Sequence, residues 1–414
     1  MTSAPLDYPR HAASTVLRAS AQFRVLLVTG ARQVGKTHLL RALAGPERSY
    51  VTLDDPLQLR LAREDPALFL QAHMPPVLID ELQYAPQLLP PLKQIVDAGG
   101  RPGDWWLTGS QPFHLMQGVS ESLAGRVAVL ALPGLSRREA LRMPAPPPFA
   151  PGPEWFAAMT AGAGAPDTLN GVFQRIWRGS YPALVAQPAL DRDLFYASYV
   201  QTYLQRDVRD LAQVGDLTVF LRFVRAAAAR TAQLLNIADL ARDADVAPNT
   251  GKHWLSILEA SGIVHLVQPW HNNLTKRLVK TPKLYFHDTG LAAWLTQWSS
   301  PATLEAGAMS GAIFETWVVG EILKSRLNVG VQTPLHYFRN KDQREVDLLI
   351  EADGLLHPVE IKKSASPGRD ALAGILSLYG LGVPLAPGAV VCMVPQAIAL
   401  SREPQVIAWP AGWL

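Results

Sequence analysis

The chain has 414 residues, 48% of them hydrophobic and 18% charged, which is enough for about two to four domains with buried cores. A net charge of +3 neither requires nor excludes a nucleic-acid partner, because a local basic patch does not show in the total. The single cysteine, Cys392, excludes a disulfide framework and a cysteine-based zinc site, and its apolar surroundings predict a small buried strand residue. No apolar run approaches the roughly 18 residues of a membrane span, and the N-terminus lacks a signal-peptide core. We therefore expect a cytoplasmic protein with no membrane partner.

The chain divides into regions of different pattern, and the predicted fold class is α/β multidomain. From about Gln22 to Leu135, short apolar strands alternate with helical patterns, which is typical of βαβ units around a parallel sheet. The predicted strands are FRVLLVTG, SYVTLDD, PPVLIDE, DWWLTGS and VAVLALPG. The predicted units are a P-loop ATPase domain of the parallel αβα type (1–142), a stiff, exposed Pro-rich connector (143–168), a helical and winged-helix domain (169–300) and a nuclease-like α/β domain (301–414).

The segment VTGARQVGKT contains a Gly-x-x-x-x-Gly-Lys-Thr loop between a predicted strand and a helix, a context that favours a phosphate-binding loop over a glycine turn that binds nothing. Backbone N–H groups and the helix N-terminus would face the phosphates, Lys36 would reach the β- and γ-phosphates, and Thr37 would hold Mg²⁺. The predicted cofactors are therefore ATP and Mg²⁺. The candidate cofactor-binding residues are Gly30, Ala31, Arg32, Gln33, Val34, Gly35, Lys36, Thr37 and His38.

The apolar segment PPVLIDELQ ends in two carboxylates at the C-terminal edge of a predicted parallel strand, where α/β sheets bind ligands. Asp80 fits the carboxylate beside Mg²⁺, and Glu81 fits the base that orients the attacking water. A helix N-cap is the competing interpretation of two acids in this position. The preceding P-loop favours the catalytic one.

Two further residues are candidates for the same reaction. Ser110 follows the strand WWLTG and would sense the γ-phosphate or position water, with an ordinary strand-to-loop turn as the alternative. Arg126, in LAGRVAV, is the candidate arginine finger, a residue that acts across a subunit boundary; a surface arginine is the alternative. Arg206 and Arg209 are weaker candidates for that role.

In this order, GARQVGKT, LIDELQ, LTGSQ, LAGR and LSRREA resemble the AAA-type ATPases of a prokaryotic group often placed with the archaeal ATPases. In that group a winged helix and a C-terminal restriction-nuclease-like domain follow the ATPase module. The resemblance covers nearly the whole chain and is weakest in the Pro-rich stretch from Met143 to Asp167. It implies ATP hydrolysis by a homo-oligomer, for which a hexameric ring is the candidate form.

The middle region has the pattern of a helix-turn-helix, with helices IADLARDA and NTGKHWLSILEASG, the second beginning at Asn249 or Thr250. Lys252 and His253 lie in the exposed first turns of the second helix. A wing-like hairpin would follow, and its basic residues are Lys276, Arg277, Lys280 and Lys283. One interpretation is that the helix enters a DNA groove while the wing binds phosphates. The other is a packing module or ATPase lid with a solvated basic hairpin.

Near the C-terminus, Glu315 lies on a predicted helix, Asp347 on a strand, and Glu360 and Lys362 lie two apart on the next strand, where alternate residues share a face. This arrangement, in an αβββαβ order, resembles the PD-(D/E)xK nuclease core, although REVDLLI lacks that family's Pro-Asp pair. The resemblance implies that Glu315, Asp347 and Glu360 bind Mg²⁺ or Mn²⁺, with Glu345 and Glu351 as alternative ligands, and that Lys362 orients the water. Lys363 would point to the opposite face, and Lys341 and Arg344 would lie in a solvated hairpin tip.

Two functions follow. The first is an ATP-hydrolysing AAA-type ATPase that binds and remodels or processes DNA, with a nuclease-like C-terminal domain. The second is a nucleotide-switched regulatory or binding protein whose nuclease-like domain is catalytically inactive.

Overall fold

The computed structural model describes residues 8–110, 123–161, 163–204, 217–270, 281–331, 334–340 and 342–414. Within these residues the first sheet has five parallel strands in the order β2-β3-β4-β1-β5. Its strands are β1 (Val25–Thr29), β2 (Ser49–Thr52), β3 (Val77–Asp80), β4 (Trp105–Gly109) and β5 (Val127–Ala131). All five strands predicted for the first region are thereby confirmed.

Helices cover this sheet, and local capping fixes where several of them begin. Their bounds are α1 (Ala13–Ser20), α2 (Lys36–Leu43), α3 (Pro56–Glu64), α4 (Pro66–Ala72), α5 (Leu89–Ala98) and α6 (Arg137–Ala140). The Asp55 side chain accepts a hydrogen bond from Leu57 N at the start of α3. Ser136 and Glu139 form a reciprocal capping box on α6, which satisfies backbone donors that have no partner within the helix.

The Pro-rich segment 143–168 is not the exposed connector that its composition predicts. It contains helix α7 (Pro153–Ala161), and its Phe149, Trp155 and Phe156 are at most 7% exposed. The Trp155 and Phe156 rings pack at 4.9 and 5.3 Å from the ring of Trp409 near the C-terminus. The exposed-connector prediction is wrong because large aromatic side chains gain more from burial than the prolines gain from an extended exposed chain.

The middle region is mainly helical and contains three short antiparallel strands. Its helices are α8 (Leu169–Arg178), α9 (Pro182–Ala186), α10 (Arg192–Tyr199), α11 (Leu217–Ala228), α12 (Ile237–Ala244), α13 (Pro248–Ala260), α14 (Thr289–Leu295) and α15 (Pro301–Ala306). Its strands are β6 (Gln233–Leu234), β7 (Val264–Pro269) and β8 (Lys283–Phe286), and β8 pairs with both of the others. The order α11-β6-α12-α13-β7-β8 therefore places two consecutive helices, α12 and α13, before a strand pair.

The C-terminal region follows the predicted αβββαβ order. Its elements are α16 (Ser310–Asn328), β9 (Leu335–Arg339), β10 (Glu345–Ala352), β11 (Leu355–Lys362), α17 (Ala373–Tyr379), β12 (Gly388–Cys392), β13 (Ile398–Arg402) and β14 (Gln405–Pro410). Cys392 is fully buried on β12, as predicted. Strand β9 pairs in parallel with β7, so the described strands of the middle and C-terminal regions form one sheet of order β13-β14-β12-β11-β10-β9-β7-β8-β6.

This sheet continues across the boundary predicted between residues 300 and 301. The largest apolar cluster likewise contains side chains from all three regions, including Leu26, Phe173, Trp317 and Trp409. Across the described ranges, no helix combines the length and the apolar character needed to cross a membrane.

Candidate functional site

The loop between β1 and α2 has a backbone that requires glycine at both ends. Gly30 has φ +142°, and a Cβ there would lie 2.3 Å from the carbonyl oxygen of Leu132, while Gly35 has φ +94° at the start of α2. The Lys36 ammonium turns back into the loop and donates to the carbonyl oxygens of Gly30 (3.0 Å) and Ala31 (2.9 Å). The loop thus has the geometry in which N–H groups and one ammonium face an anion.

The Asp80 carboxylate lies beside the start of α2 and is held by three hydroxyl groups. Thr37 Oγ1 donates to it at 2.8 Å, Tyr50 OH donates at 3.0 Å, and Thr108 Oγ1 also donates to it. Asp80 is only 4% exposed. A threonine hydroxyl and a carboxylate in contact at the P-loop are the oxygen donors that Mg²⁺ prefers, so the residues fit that ion. Burial and the Asp80 charge raise the pKa of the Tyr50 phenol, which keeps it a donor.

Glu81 lies next to the candidate magnesium ligand but faces other partners. Its φ is +61° at the strand end, and its side chain does not cap the short 3₁₀ turn that follows. Its carboxylate instead accepts hydrogen bonds from Ser110 Oγ (2.9 Å) and from the Gln83 amide. Its backbone N–H donates to Thr108 Oγ1 at 3.0 Å. The structure therefore brings Glu81 and Ser110 together at the ends of adjacent strands.

Of the remaining loop residues, two make hydrogen bonds to neighbouring residues and two are exposed. Val34 is buried, and its carbonyl oxygen accepts from the Arg10 guanidinium at 2.7 Å. Arg32 donates to Tyr84 OH at 2.7 Å. Gln33 and His38 are exposed.

A cavity of about 240 Å³ lies between the P-loop and the middle region. Its lining is mainly apolar and includes Ala31, Leu132, Tyr181, Glu259, Gly262 and Asp288. Burial raises the pKa of Glu259. The middle region therefore contributes directly to the surroundings of the loop.

Arg126 lies at the end of the sheet where the parallel strands begin, whereas the P-loop lies at the end where they finish. It immediately precedes Val127, which pairs with Val25 at the start of β1, whereas the loop follows Thr29 at the end of that strand. The Arg126 guanidinium makes an ion pair with Asp97 and donates to the Ala124 carbonyl at 2.9 Å. The length of β1 separates it from the loop of its own chain, so a role in catalysis requires a neighbouring subunit.

The predicted nuclease residues lie together, but around a lysine. Lys283 on β8 places its ammonium 3.0 Å from Glu315 and 3.4 Å from Asp347, and it also makes an ion pair with Glu345. Tyr285 OH donates to Glu315 at 2.6 Å. Glu360 makes an ion pair with Lys362 at 2.6 Å, which confirms that these two share a face. Lys363 instead contacts Glu305 on α15.

The prediction that Lys283 belongs to a solvent-exposed basic wing is wrong. Its side chain is only 4% exposed and cannot reach a DNA backbone. Burial alone would lower its pKa, but Tyr285 and the three carboxylates raise it above its ordinary value, so the ammonium stays charged. Lys276, Arg277, Lys280, Lys341, Arg206 and Arg209 lie outside the described residues.

With the Lys283 ammonium among them, the carboxylates of this cluster do not fit the predicted metal site. Burial and the nearby Asp347 raise the pKa of Glu315 to about 7 and of Glu360 to about 8. In the part of the chain that the structure describes, no group of three or more His, Cys, Asp or Glu residues has an arrangement that could hold a metal ion. The observed cation among Glu315, Glu345 and Asp347 is the Lys283 ammonium.

In the middle region, helix α13 begins at Pro248, one or two residues before the predicted start, because proline suits the first helical position. Lys252 and His253 are exposed on it, as predicted, while Trp254, Leu255 and Leu258 are buried. One face of the helix packs inward and another is open to solvent.

Helix α16 joins the two chemical centres. Its Glu321 accepts a hydrogen bond from Arg137 N at 2.8 Å, and its Lys324 donates to the Leu135 carbonyl at 3.0 Å, both just after β5. The same helix carries Glu315. The P-loop domain and the carboxylate cluster are thus attached to one rigid element.

Sequence reasoning missed two residues of the nucleotide site. Tyr50 was not identifiable because its strand SYVT carries no motif, and only the register of β2 beside β3 brings it to Asp80. Gln83 lies two residues after Glu81 in LIDELQ, so its proximity to Glu81 in the sequence was a usable signal.

Comparison with known proteins gives three matching family models. One, described as an AAA domain, matches residues 22–141. Two described as domains of unknown function, DUF8612 and DUF4143, match residues 170–302 and 310–412.

Two uncharacterised proteins, of Mycobacterium bovis and Mycobacterium tuberculosis, are each 32% identical over 362 residues, covering 86% of this chain and 74% of the relative. The solved structure of a Walker-type ATPase of Pyrococcus abyssi is 15% identical, with a TM-score of 0.43, and covers 69% of this chain and 94% of that one. A similarity of that degree carries no argument about this chain.

Proposed function

The chain belongs to the family of AAA-domain proteins that includes these two mycobacterial relatives, and we propose that it hydrolyses ATP at the P-loop. The observation that carries this proposal is the convergence of Lys36, Thr37, Asp80 and Glu81 at one edge of the parallel sheet. Two of these residues contact each other directly, at 2.8 Å between Thr37 and Asp80. The adenosine part of the nucleotide would use the mainly apolar cavity beside Ala31 and Gly262.

Each residue has a definite task in this reaction. The loop N–H groups bind the phosphates, and Lys36 exchanges its contacts with the Gly30 and Ala31 carbonyls for phosphate oxygens. Thr37 and Asp80 would hold Mg²⁺, which neutralises charge on the transferred phosphoryl group when it is bound. Glu81 accepts the proton of the attacking water, and Ser110 fixes the position of its carboxylate.

The test is ATP turnover by the full chain. Glu81→Gln keeps the shape of the side chain but removes the base, so turnover should fall at least about 100-fold while ATP binding is kept. Lys36→Ala should weaken ATP binding itself. The matched control is Glu64→Gln, at an exposed position on α3, which should hydrolyse like wild type. Wild-type turnover by Glu81→Gln would refute the assignment.

We further propose that the middle region binds DNA as a winged helix. Supporting it are the consecutive helices α12 and α13 followed by a strand pair, and the exposed Lys252 and His253 on α13. In this proposal ATP turnover drives remodelling or processing of the bound DNA.

DNA binding is tested by adding single-stranded, duplex and branched DNA to the ATPase assay. DNA should stimulate turnover, and Lys252→Ala should weaken binding and reduce its salt dependence by about one counterion. Arg60→Ala, an exposed arginine on α3, is the control and should bind as wild type does. If DNA of every form is neither bound nor alters ATP turnover, this part of the proposal fails.

We also propose that the working form is a homo-oligomer, with a hexameric ring as the candidate. Its support is the position of Arg126, which no P-loop of the same chain can use. Mass measurement with and without ATP tests it, and a monomer under both conditions at working concentration would exclude it.

One observation favours a second candidate function, a nucleotide-switched binding protein whose C-terminal domain does not cut. The carboxylates predicted to bind metal are paired with Lys283 instead. Incubating supercoiled DNA with Mg²⁺ or Mn²⁺ should then give no cleavage that depends on Asp347. Cleavage that Asp347→Ala abolishes would exclude this candidate and favour a nuclease.

A further inference from the structure

The cluster of Glu315, Glu345 and Asp347 receives its cation from a different region of the chain. Glu315 comes from α16 and the other two from β10, whereas Lys283 comes from β8, three strands away in the sheet order. We infer that Lys283 is the resident cation of this cluster and excludes a divalent metal from it. Its ammonium contacts the carboxylate oxygens that would otherwise be ligands for a metal, and these ion pairs link the middle region to the C-terminal region.

The backbone of Lys283 is fixed on both sides. It pairs with Val267 of β7 and with Leu234 of β6. The lysine therefore lies on a strand that is paired on both sides, not at a free hairpin end. Because its side chain is buried, it can leave the carboxylates only if β8 moves or if the side chain rotates past packed residues. The Tyr337 ring, with its centroid 5.8 Å from the ammonium, borders the remaining space.

Hydrogen bonds from neighbouring groups hold two of the carboxylates in place for this lysine. Asp347 uses its second oxygen to accept from Ile361 N at 2.8 Å, which leaves its first oxygen facing Lys283. Glu315 is fixed by Tyr285 OH, which comes from the same strand as the lysine. Strand β8 thus supplies both the cation and the hydrogen bond that orients one of its partners.

The oxygen atoms of the carboxylates are the reason to expect cation binding once Lys283 is removed. Around it lie four carboxylates, those of Glu315, Glu345, Asp347 and Glu360, and three cations, which are the ammonium groups of Lys283 and Lys362 and the guanidinium of Arg339. Glu360 Oε2 is buried with no hydrogen-bond partner among the described residues. Among the described residues, Lys283 is the cation that contacts both Glu315 and Asp347, so removing its ammonium should leave their oxygen atoms as ligands for a hard divalent cation.

The test is Mn²⁺ binding by the full, nucleotide-free chain, followed by electron paramagnetic resonance. Lys283→Met, which keeps the length of the side chain without its charge, should gain one Mn²⁺ site at least about tenfold tighter than any in wild type. Adding Asp347→Asn to Lys283→Met should remove that site. Lys363→Met, which loses a neighbouring ion pair outside the cluster, should behave as wild type.

Two results would overturn the inference. One is a wild-type Mn²⁺ site that Asp347→Asn abolishes and that is as tight as in Lys283→Met. The other is a folded Lys283→Met protein that binds no more Mn²⁺ than wild type. Because no nucleotide is present, the outcome does not depend on whether the P-loop hydrolyses ATP.

A measurement on the wild-type protein covers the case in which Lys283→Met does not fold. An amine-reactive reagent with peptide mapping should label Lys283 at least about tenfold more slowly than the exposed Lys252, with or without millimolar Mn²⁺. Labelling of Lys283 that accelerates as Mn²⁺ is added would mean that the metal displaces the lysine, and the inference would be wrong.

Discussion

Thr108 Oγ1 accepts a hydrogen bond from the backbone N–H of Glu81 at 3.0 Å and donates its own proton to Asp80. One buried hydroxyl on β4 therefore orients both carboxylates at the end of β3. Thr108→Val keeps the shape but leaves the Glu81 N–H unpaired, so we expect about 1–3 kcal/mol less unfolding free energy. ATP turnover should fall by about tenfold. Thr108→Ser should restore most of both, and equal damage from valine and serine would contradict the role given to the hydroxyl.

Gln83 donates to the Glu81 carboxylate and to Ser110 Oγ, the latter at 2.9 Å. The Gln83 amide occupies an oxygen of the Glu81 carboxylate, so Gln83→Ala should free that oxygen to orient water. We expect basal ATP turnover to rise by about two- to tenfold with unchanged ATP affinity. Steady-state kinetics and nucleotide binding separate these quantities. A fall as large as that of Glu81→Gln would show that Gln83 supports catalysis instead.

We propose that Arg126 acts on the nucleotide of a neighbouring subunit, and its ion-pair partner Asp97 offers a matched control. Arg126→Ala should lower ATP turnover at least about 100-fold with ATP binding kept, whereas Asp97→Ala should retain activity because the arginine remains. Mixing Arg126→Ala with Glu81→Gln subunits should recover part of the activity, since some interfaces then combine an intact Arg126 with an intact Glu81. No recovery on mixing would exclude a shared site.

Trp155 makes the segment 143–168 part of the core through its contacts with Phe149 and Trp409. Trp155→Ala should cost roughly 3–5 kcal/mol of unfolding free energy, as large cavities do. Pro147→Ala, at an exposed position in the same segment, should cost less than about 1 kcal/mol. Urea unfolding measures both. Similar losses of unfolding free energy in the two variants would mean that Trp155 is not part of the core and that the segment is an exposed connector.

His287 and His265 make the protein sensitive to acid. Burial lowers the pKa of His287 to about 3 and that of His265 to about 4, below the ordinary value of 6.5. Below pH 6.5 these two histidines bind more protons in the unfolded chain than in the folded one, so their contribution to stability falls as pH decreases towards 4, whereas the raised pKa values of Glu315 and Glu360 act in the opposite direction. We expect a loss of roughly 1–2 kcal/mol per histidine between pH 7 and 5.

Urea unfolding at pH 7 and 5 tests this dependence. His287→Gln should remove the share of the stability change between pH 7 and 5 that this histidine contributes, while His38→Gln, at an exposed position, should leave the change as it is in wild type. A pH dependence that is the same in His287→Gln as in wild type would contradict the assignment to that histidine.

Local pattern predicted the strands, the P-loop and the helix order well, because these depend on residues close in sequence. It failed where residues far apart meet. Lys283 stands among the basic residues of TKRLVKTPK, and only pairing of β8 between β6 and β7 turns it inward. Tyr50 likewise reaches Asp80 only through the register of two parallel strands. The prolines of segment 143–168 predicted an exposed connector. Its aromatic residues Trp155 and Phe156 are instead buried against Trp409, which lies about 250 residues further on in the chain.

Helix α16 sets a limit on how finely the protein can be dissected. Glu315 and Glu321 are six residues apart, or roughly 9 Å along the helix axis, and they serve the carboxylate cluster and the edge of the ATPase domain respectively. A helix this short between two points behaves as a solid rod, so a tilt large enough to break the contact of Glu321 also displaces Glu315. Substitutions at Glu315 or Glu321 should therefore affect both the carboxylate cluster and the contact with the ATPase domain. An ATPase domain produced alone would lose its hydrogen bonds with α16.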